Sequence, residues 1–402
     1  MANTIPPLDT NDGLQTTRQS DVSFLLFQNQ SNFKPYLWEL AIANWFEPTI
    51  NSKFEWDDRD ITENRTQVNN TAGYNASATS IVVDDAKIFA KYDNAYNPRT
   101  GEVMSVTAVN TGTNTLTVVR GVGESAGVAI NDNDYLLMIG NAMEERSDAP
   151  DVPVYTGAAA YNYTQEFREP VTISNRRRRE RSNPAGGISN LTAQAEVQFT
   201  RRIESAAFFG KTDLSTSSYT QPVYYTGGIL DYIPTANTYT VGGALTEKNW
   251  DEFLIEQAFN KGSSEKIMFC GDYITLWMTS FGKSVESYQI PIGTDPLGNA
   301  IGFHVSTYIT PSGQRLHIVN HELFRGDTTL AGMGVIIDPM FVGARYGQDP
   351  ETNYDGRPKY VERDYMQYTG NSSFEAEYYA EVGFEWRNAQ THALIETVTK
   401  PT

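Results

Sequence analysis

Apolar residues recur along this chain at two spacings, and the switch between them marks where helix and strand are expected. Leu191, Ala195, Phe199, Ile203 and Ala207 repeat every four residues, which lines them up on one face of a helix. The break Asn183-Pro184-Ala185-Gly186-Gly187 precedes this run, Ser189 or Asn190 is placed to cap it and Gly210 to stop it, so a helix is predicted over 189–210. Gln194, Glu196, Gln198, Arg201, Arg202 and Glu204 fall on the opposite face, which lays this helix on the outside of a core.

Elsewhere the period is two. Lys53 to Asp58 alternates like a strand with one wet face, and Phe374, Ala376, Tyr378, Ala380, Val382 and Phe384 suit a long strand that pairs with the one around Glu55 or packs on the long helix. Between 76 and 140 the texture is short β-rich runs separated by Gly-, Asn- and Asp-rich turns, with Val103 to Val109 and Thr115 to Val119 forming a hairpin candidate. This reads as a small all-β module interrupting something larger, because extended sequence resumes at Tyr161 to Phe167. From 225 to 345 helical and strand patterns alternate: Trp250 to Phe259 and Tyr273 to Phe281 as helices, Lys266 to Cys270 as a strand, Phe303 to Ile309 paired with Leu316 to Val319, and Met333 to Asp338 as a buried strand ended by Pro339. That is an α+β domain. Tyr36 to Phe46 suits a short helix broken by Pro48, and the first 35 residues are polar apart from Val22 to Phe27, an arm that gains order by lying on a neighbour.

Composition narrows the function. Lys and Arg total 31 against 49 Asp and Glu, a formal charge of −18 that repels nucleic acid and anionic membranes at long range. The start lacks a basic region followed by an apolar one, and no segment approaches ~18 uninterrupted apolar residues, so secretion and membrane insertion are unsupported. The single Cys270 cannot form an intramolecular disulfide and reads as a buried small hydrophobe.

Catalytic motifs are missing where they would be recognised. There is no P-loop, no Gly-x-Ser-x-Gly elbow and no His-Glu-x-x-His; Gly121-Val122-Gly123-Glu124 lies between β-runs and not at a strand-to-helix turn. His317 and His321 share a strand face but sit far apart with no further ligand evident, and read as surface or interface residues. Asp9 to Gly13 has its glycine one place early for a calcium loop and no closing Glu. No catalytic residue, cofactor or metal is assigned.

One charge feature stands apart: Arg176-Arg177-Arg178-Arg179-Glu180-Arg181, in an otherwise acidic chain. Three readings are open. The guanidinium forks pair with carboxylates of an adjacent subunit, or the run is a solvated loop, or it contacts DNA phosphates without aromatic interleaving for base stacking.

The order of pieces (polar arm, strand with Phe54-Glu55-Trp56, β-module, return strand, long amphipathic helix, α+β domain, closing strands) resembles the major capsid proteins of tailed phages with the Hong Kong 97-type fold, in the branch with a β-rich insertion in the extended loop. The stretches that carry it are Thr79 to Ala86 with Gly101 to Met104, Asn162 to Phe167, Ile203 to Gly210, Val305 to Tyr308, Ile337 to Pro339 and Glu381 to Glu385. The resemblance implies an N-terminal arm over 1–50, an extended loop over 51–75 and 141–187, the β-insertion over 76–140, a peripheral domain over 188–219 and 346–402 with its spine helix, and an axial domain over 220–345. It also implies a non-enzyme that self-assembles as hexamers and pentamers into an icosahedral shell, with portal, scaffold and decoration proteins as partners, DNA inside held by weak non-specific contact, and assembly in the bacterial cytoplasm. With a short arm ahead of the fold, no fused scaffolding segment is expected. The rivals are an encapsulin-like cage and a β-rich phage tail or receptor-binding protein. Physics supports a shell: an arm and a two-stranded loop have no core of their own, and an acidic wall does not trap DNA.

Overall fold

The alternation from Phe374 to Phe384 becomes a strand of 14 residues, Ser373–Trp386, in a computed structural model that describes residues 33–58, 64–123, 125–146, 158–176, 188–217, 219–284, 307–364 and 373–401. The strand Gln165–Ser174 pairs with it antiparallel along its whole length, from Gln165 opposite Val382 to Ser174 opposite Ser373. Its other edge is shared by Val342–Asp349 and Lys359–Asp364. Phe46–Thr49 then adds in parallel to Val342–Asp349 as an edge strand, the one place in a sheet where Pro48 is tolerated.

Of the two expectations for the closing strand, packing on the long helix is the one observed. The helix Ile188–Phe209 lays Phe199, Ile203, Ala207 and Phe208 into one core with Ala380, Val382, Phe384 and Trp386. The strand around Glu55, Lys53–Asp58, pairs instead with Ala158–Tyr163 in a separate ribbon, and its Phe54 ring reaches the closing strand at Gly383. A side chain at Gly383 would bring its Cβ to 2.7 Å from that ring and from the Tyr163 carbonyl, which is why a glycine interrupts the run of large residues.

A second six-stranded sheet has the order Thr238–Gly243, Ala393–Val398, Gly334–Ile337, Glu265–Cys270, Arg315–Asn320, Thr307–Ile309. The helices Glu247–Phe253 and Asp272–Ser284 cover it through a core of Trp250, Phe253, Ile274, Met278, Met268 and Ile336. The first helix starts earlier than the apolar pattern suggests, because the Thr246 hydroxyl accepts from the Asn249 N–H. It does not run regularly to Phe259: the backbone widens into a π-turn over Leu254–Ala258 that keeps both end residues buried. Of the strand expected at 303–309, residues 303–306 lie outside the described residues, and Thr307–Ile309 pairs as expected with Arg315–Asn320.

These sheets belong to one compact unit, residues 1–56 with 159–402; residues 57–158 form the other. The second unit is a six-stranded sheet ordered Arg65–Gln67, Tyr135–Asn141, Asp93–Tyr96, Val103–Asn110, Thr115–Val119, Ser80–Val82, closed on Ile81, Met104, Val106, Leu116, Val118 and Leu136. Its first strand lies outside 76–140 because Arg65–Gln67 has no apolar alternation and becomes a strand only by pairing with Tyr135–Leu137. Within it, fully buried Glu102 takes a bidentate contact from Arg120 at 2.6 Å from each nitrogen.

The short helix Tyr36–Asn44 ends at Trp45, whose indole packs against Gly343 while the Arg387 guanidinium sits 4.3 Å from the centre of the same ring. A Cβ on Gly343 would fall inside the indole. Gly343→Ala is therefore expected to lower unfolding free energy by about 1–3 kcal/mol in a urea titration followed by tryptophan fluorescence. An unchanged midpoint would mean that Trp45 is not seated there.

Candidate functional site

The long helix and the return strand Gln165–Ser174 form one layer and run antiparallel. Leu191 packs by Ile173, Arg202 donates to the Arg168 carbonyl at 3.0 Å, and the helix ends at Gly210 beside the loop holding Thr226, whose N–H donates to the Gln165 side chain at 3.0 Å. Arg176, the first arginine of the basic run, is exposed at the Ser174 end of this layer and makes no ion pair among the described residues. Arg177, Arg178, Arg179 and Arg181 lie outside the described residues.

Along the layer the charges are matched. Arg168 reaches Glu377 at 2.9 Å, Arg202 reaches Glu169 at 2.7 Å and Arg201 reaches Glu322 at 2.6 Å. Between helix and strand lies an open groove of about 610 Å³ lined by Phe167, Arg168, Gln198, Arg201 and Arg202 among others. Its arginines are already paired, so it offers no spare cation to a ligand.

The helix side chain Glu204 corrects an expectation. Its place on the polar face suggests solvent, yet it is fully buried and accepts the N–H groups of Leu37 at 2.9 Å and Trp38 at 2.8 Å. Those are the first-turn donors of Tyr36–Asn44, whose own N-cap, Pro35, offers no side-chain hydrogen bond. A carboxylate from another helix thus satisfies the positive end of this one, each bond contributing about 1.5–3 kcal/mol as a hydrogen bond to a charged group. His321 is likewise not at the surface. Its ring is buried among Phe33, Tyr36, Phe208, Phe269 and Phe324, with Nε2 3.2 Å from Glu204 but not aligned as a hydrogen bond. Because Nδ1 accepts the Leu323 N–H at 3.2 Å, the proton of the neutral ring resides on Nε2, facing the carboxylate. His317 is exposed, as expected. The sequence signal is absent: Glu204 caps a helix more than a hundred residues away, and His321 is buried beside that same distant Glu204.

A second buried polar group was equally hidden. Lys266, in the strand Glu265–Cys270, donates its ammonium to the carbonyls of Ala258 at 2.7 Å, Lys261 at 2.8 Å and Thr391 at 2.5 Å, tying the turn at 258–261 to the one at 389–391. Asp338 accepts from the Ser263 N–H at 2.7 Å, and its own N–H donates to His392 Nδ1 at 3.2 Å. Burial pulls the Lys266 ammonium down to about 8, and burial together with the nearby Lys266 charge holds His392 at about 3. Cys270 is buried as expected, and burial raises its thiol to about 12, which keeps it unreactive. Among the described residues no group of three His, Cys, Asp or Glu is placed to hold a metal, and no helix is long and apolar enough to cross a membrane.

What the geometry offers is buried clamps that fix loops and helix ends, together with an exposed Arg176 at one end of the helix–strand layer that makes no ion pair among the described residues. Comparison with known proteins gives the class: structural proteins of phage heads. Residues 9–399 match the model of the SU10 major capsid protein, and the chain belongs to that family, whose members are major capsid proteins, virion components that assemble with copies of themselves. The major capsid protein of Pseudomonas phage PaMx41 is 28% identical over 312 residues, covering 73% of this chain and 69% of that protein. Solved structures of Mycobacterium phage Bobi and Microbacterium phage Oxtober96 are similar at TM-scores of 0.45 and 0.45, with 9% and 10% identity, over 98% of this chain and 99% and 100% of theirs.

Two measurements check the clamps. Glu204→Ala should cost about 3–5 kcal/mol and speed amide exchange at Leu37 and Trp38; protection that survives the change would show that Glu204 is not their acceptor. For His392 the folded ring takes up its proton near 3 and the unfolded one near 6.5, so the unfolded chain binds more protons in between. Stability is therefore whole above about pH 6.5 and falls on acidification toward pH 3, by a few kcal/mol in order of magnitude. His392→Leu should flatten that slope in denaturation series between pH 7 and 4.

Proposed function

We propose that this major capsid protein builds an icosahedral shell of hexamers and pentamers around the double-stranded DNA of a tailed phage, as a Hong Kong 97-type subunit without enzymatic activity. The observation that carries the reading is the family match across residues 9–399, nearly the whole chain. Residues 1–50 serve as the arm, 51–75 and 141–187 as the limbs of the extended loop, and 76–140, within the all-β unit 57–158, as the insertion. The long helix is the spine of the peripheral domain at 188–219 and 346–402, and 220–345 is the axial domain. The two sheets of mixed α+β content and the helix-on-sheet layer support this division. Assembly takes place in the host cytoplasm, with portal, scaffold and decoration proteins as partners.

Arg176, Arg177, Arg178, Arg179 and Arg181 make contact with a neighbouring subunit. The support is chemical: a run of five arginines in a chain of charge −18 has carboxylates available on every copy around it. Electron microscopy with mass determination on the purified chain should show capsomers or closed particles, and a trimeric fibre or a monomer that never assembles would overturn the reading. R177E/R178E/R179E should reduce particle yield at least tenfold without shifting the unfolding midpoint of the subunit, whereas normal particles would remove the arginines from the interface.

A further inference from the structure

The helix–strand layer has two chemically different ends. At one stands Arg176, followed along the chain by the rest of the basic run before the helix begins at Ile188. At the other, between Gly210 and Thr226, lies a two-stranded ribbon: Asp213–Ser215 pairs antiparallel with Val223–Tyr225 and, among the described residues, with no other strand. Opposite pairs on a ribbon share a face, so Asp213 lies with Tyr225, and the Tyr225 hydroxyl donates to Tyr219 at 3.2 Å. Tyr219 is 54% exposed, and Asp213 is exposed and makes no ion pair among the described residues. The other face carries Leu214 and Tyr224, which continues through Tyr163 at 5.7 Å to Tyr161 at 5.9 Å. That aromatic surface already binds a cation: the Lys53 ammonium sits 4.4 Å from the Tyr161 ring centre.

From these observations we propose that the tyrosine ribbon 213–225 is the docking surface for the Arg176 to Arg181 segment of an adjacent copy, a head-to-tail contact. The inference rests on the assignment of the arginine run to a subunit interface and names its receiving surface. Two arguments fix the occupant. First, the face that carries Asp213 offers the exposed Tyr219 ring and the half-buried Tyr225 ring beside a carboxylate that makes no ion pair among the described residues, and guanidinium groups stack on such rings and pair with such carboxylates. Second, a copy cannot reach its own ribbon: ten strand residues at about 3.3 Å and 22 helix residues at about 1.5 Å each set the two ends about 30 Å apart. A rigid layer with a donor at one end and an acceptor at the other joins copies heterologously, and such contacts close into rings when the rotation permits.

The test uses the full chain assembled into particles. Arg176→Cys with Tyr219→Cys, treated with a short bis-maleimide while Cys270 stays buried, should give a ladder of crosslinked oligomers rising to the ring size. Absence of crosslinks, or products that stop at the dimer as a two-fold contact would give, overturns the proposal. Y219A/Y225A and Asp213→Arg should each lower particle yield by about tenfold, the loss of one such contact, with subunit unfolding unchanged. If R177E/R178E/R179E blocks assembly while these ribbon variants assemble normally, the arginines still serve an interface but the ribbon is not their partner. If the arginine variant itself assembles normally, both readings fall.

Discussion

The long strand Ser373–Trp386 is bonded along both edges at once, and most of the fold is arranged around that pairing. Its partners come from residues 165–174 on one side and from 342–349 and 359–364 on the other. Toward Trp386 it becomes buried on both faces while its sequence keeps alternating, because the intervening positions are Gly383, against the Phe54 ring, and Glu385, paired with Arg345 and Arg387. Register on the return strand in turn sets where the long helix lies, because the helix packs across that strand as well as on the sheet.

Buried charges then fasten the pieces that packing alone leaves loose. Glu204 holds the first turn of Tyr36–Asn44, Lys266 ties the turn at 258–261 to the one at 389–391, and Glu385 is fully buried between Arg345 at 2.5 Å and Arg387 at 2.6 Å. Each such group carries a desolvation cost that only complete pairing offsets, so each tolerates a single arrangement of its surroundings. For a major capsid protein this has a direct use. A subunit that must present the same faces to every neighbour needs its helix ends and loops fixed before it meets them, since an interface gains nothing from contacts that must first be ordered.

Legibility in the sequence followed the range of the forces involved. The long helix, the hairpin Val103–Asn110 with Thr115–Val119, the strand Gly334–Ile337 and the buried Cys270 were all readable, because apolar period and turn chemistry are local. The strand Arg65–Gln67 and the burial of His321 were not, since each depends on a partner distant in the chain.

By itself the sequence determined the element types, the α+β class and the resemblance to phage capsid proteins, since periodicity, composition and the order of segments are properties of the chain alone. Only the tertiary structure decided which polar residues left the surface. Polarity groups Glu204 with Arg201 and Arg202, and nothing within a few residues of it says that the N-terminus of another helix will arrive there. The reason is physical: one strong unsatisfied donor set at a helix end outweighs the local preference of a carboxylate for water, and that donor set exists only once the chain has folded.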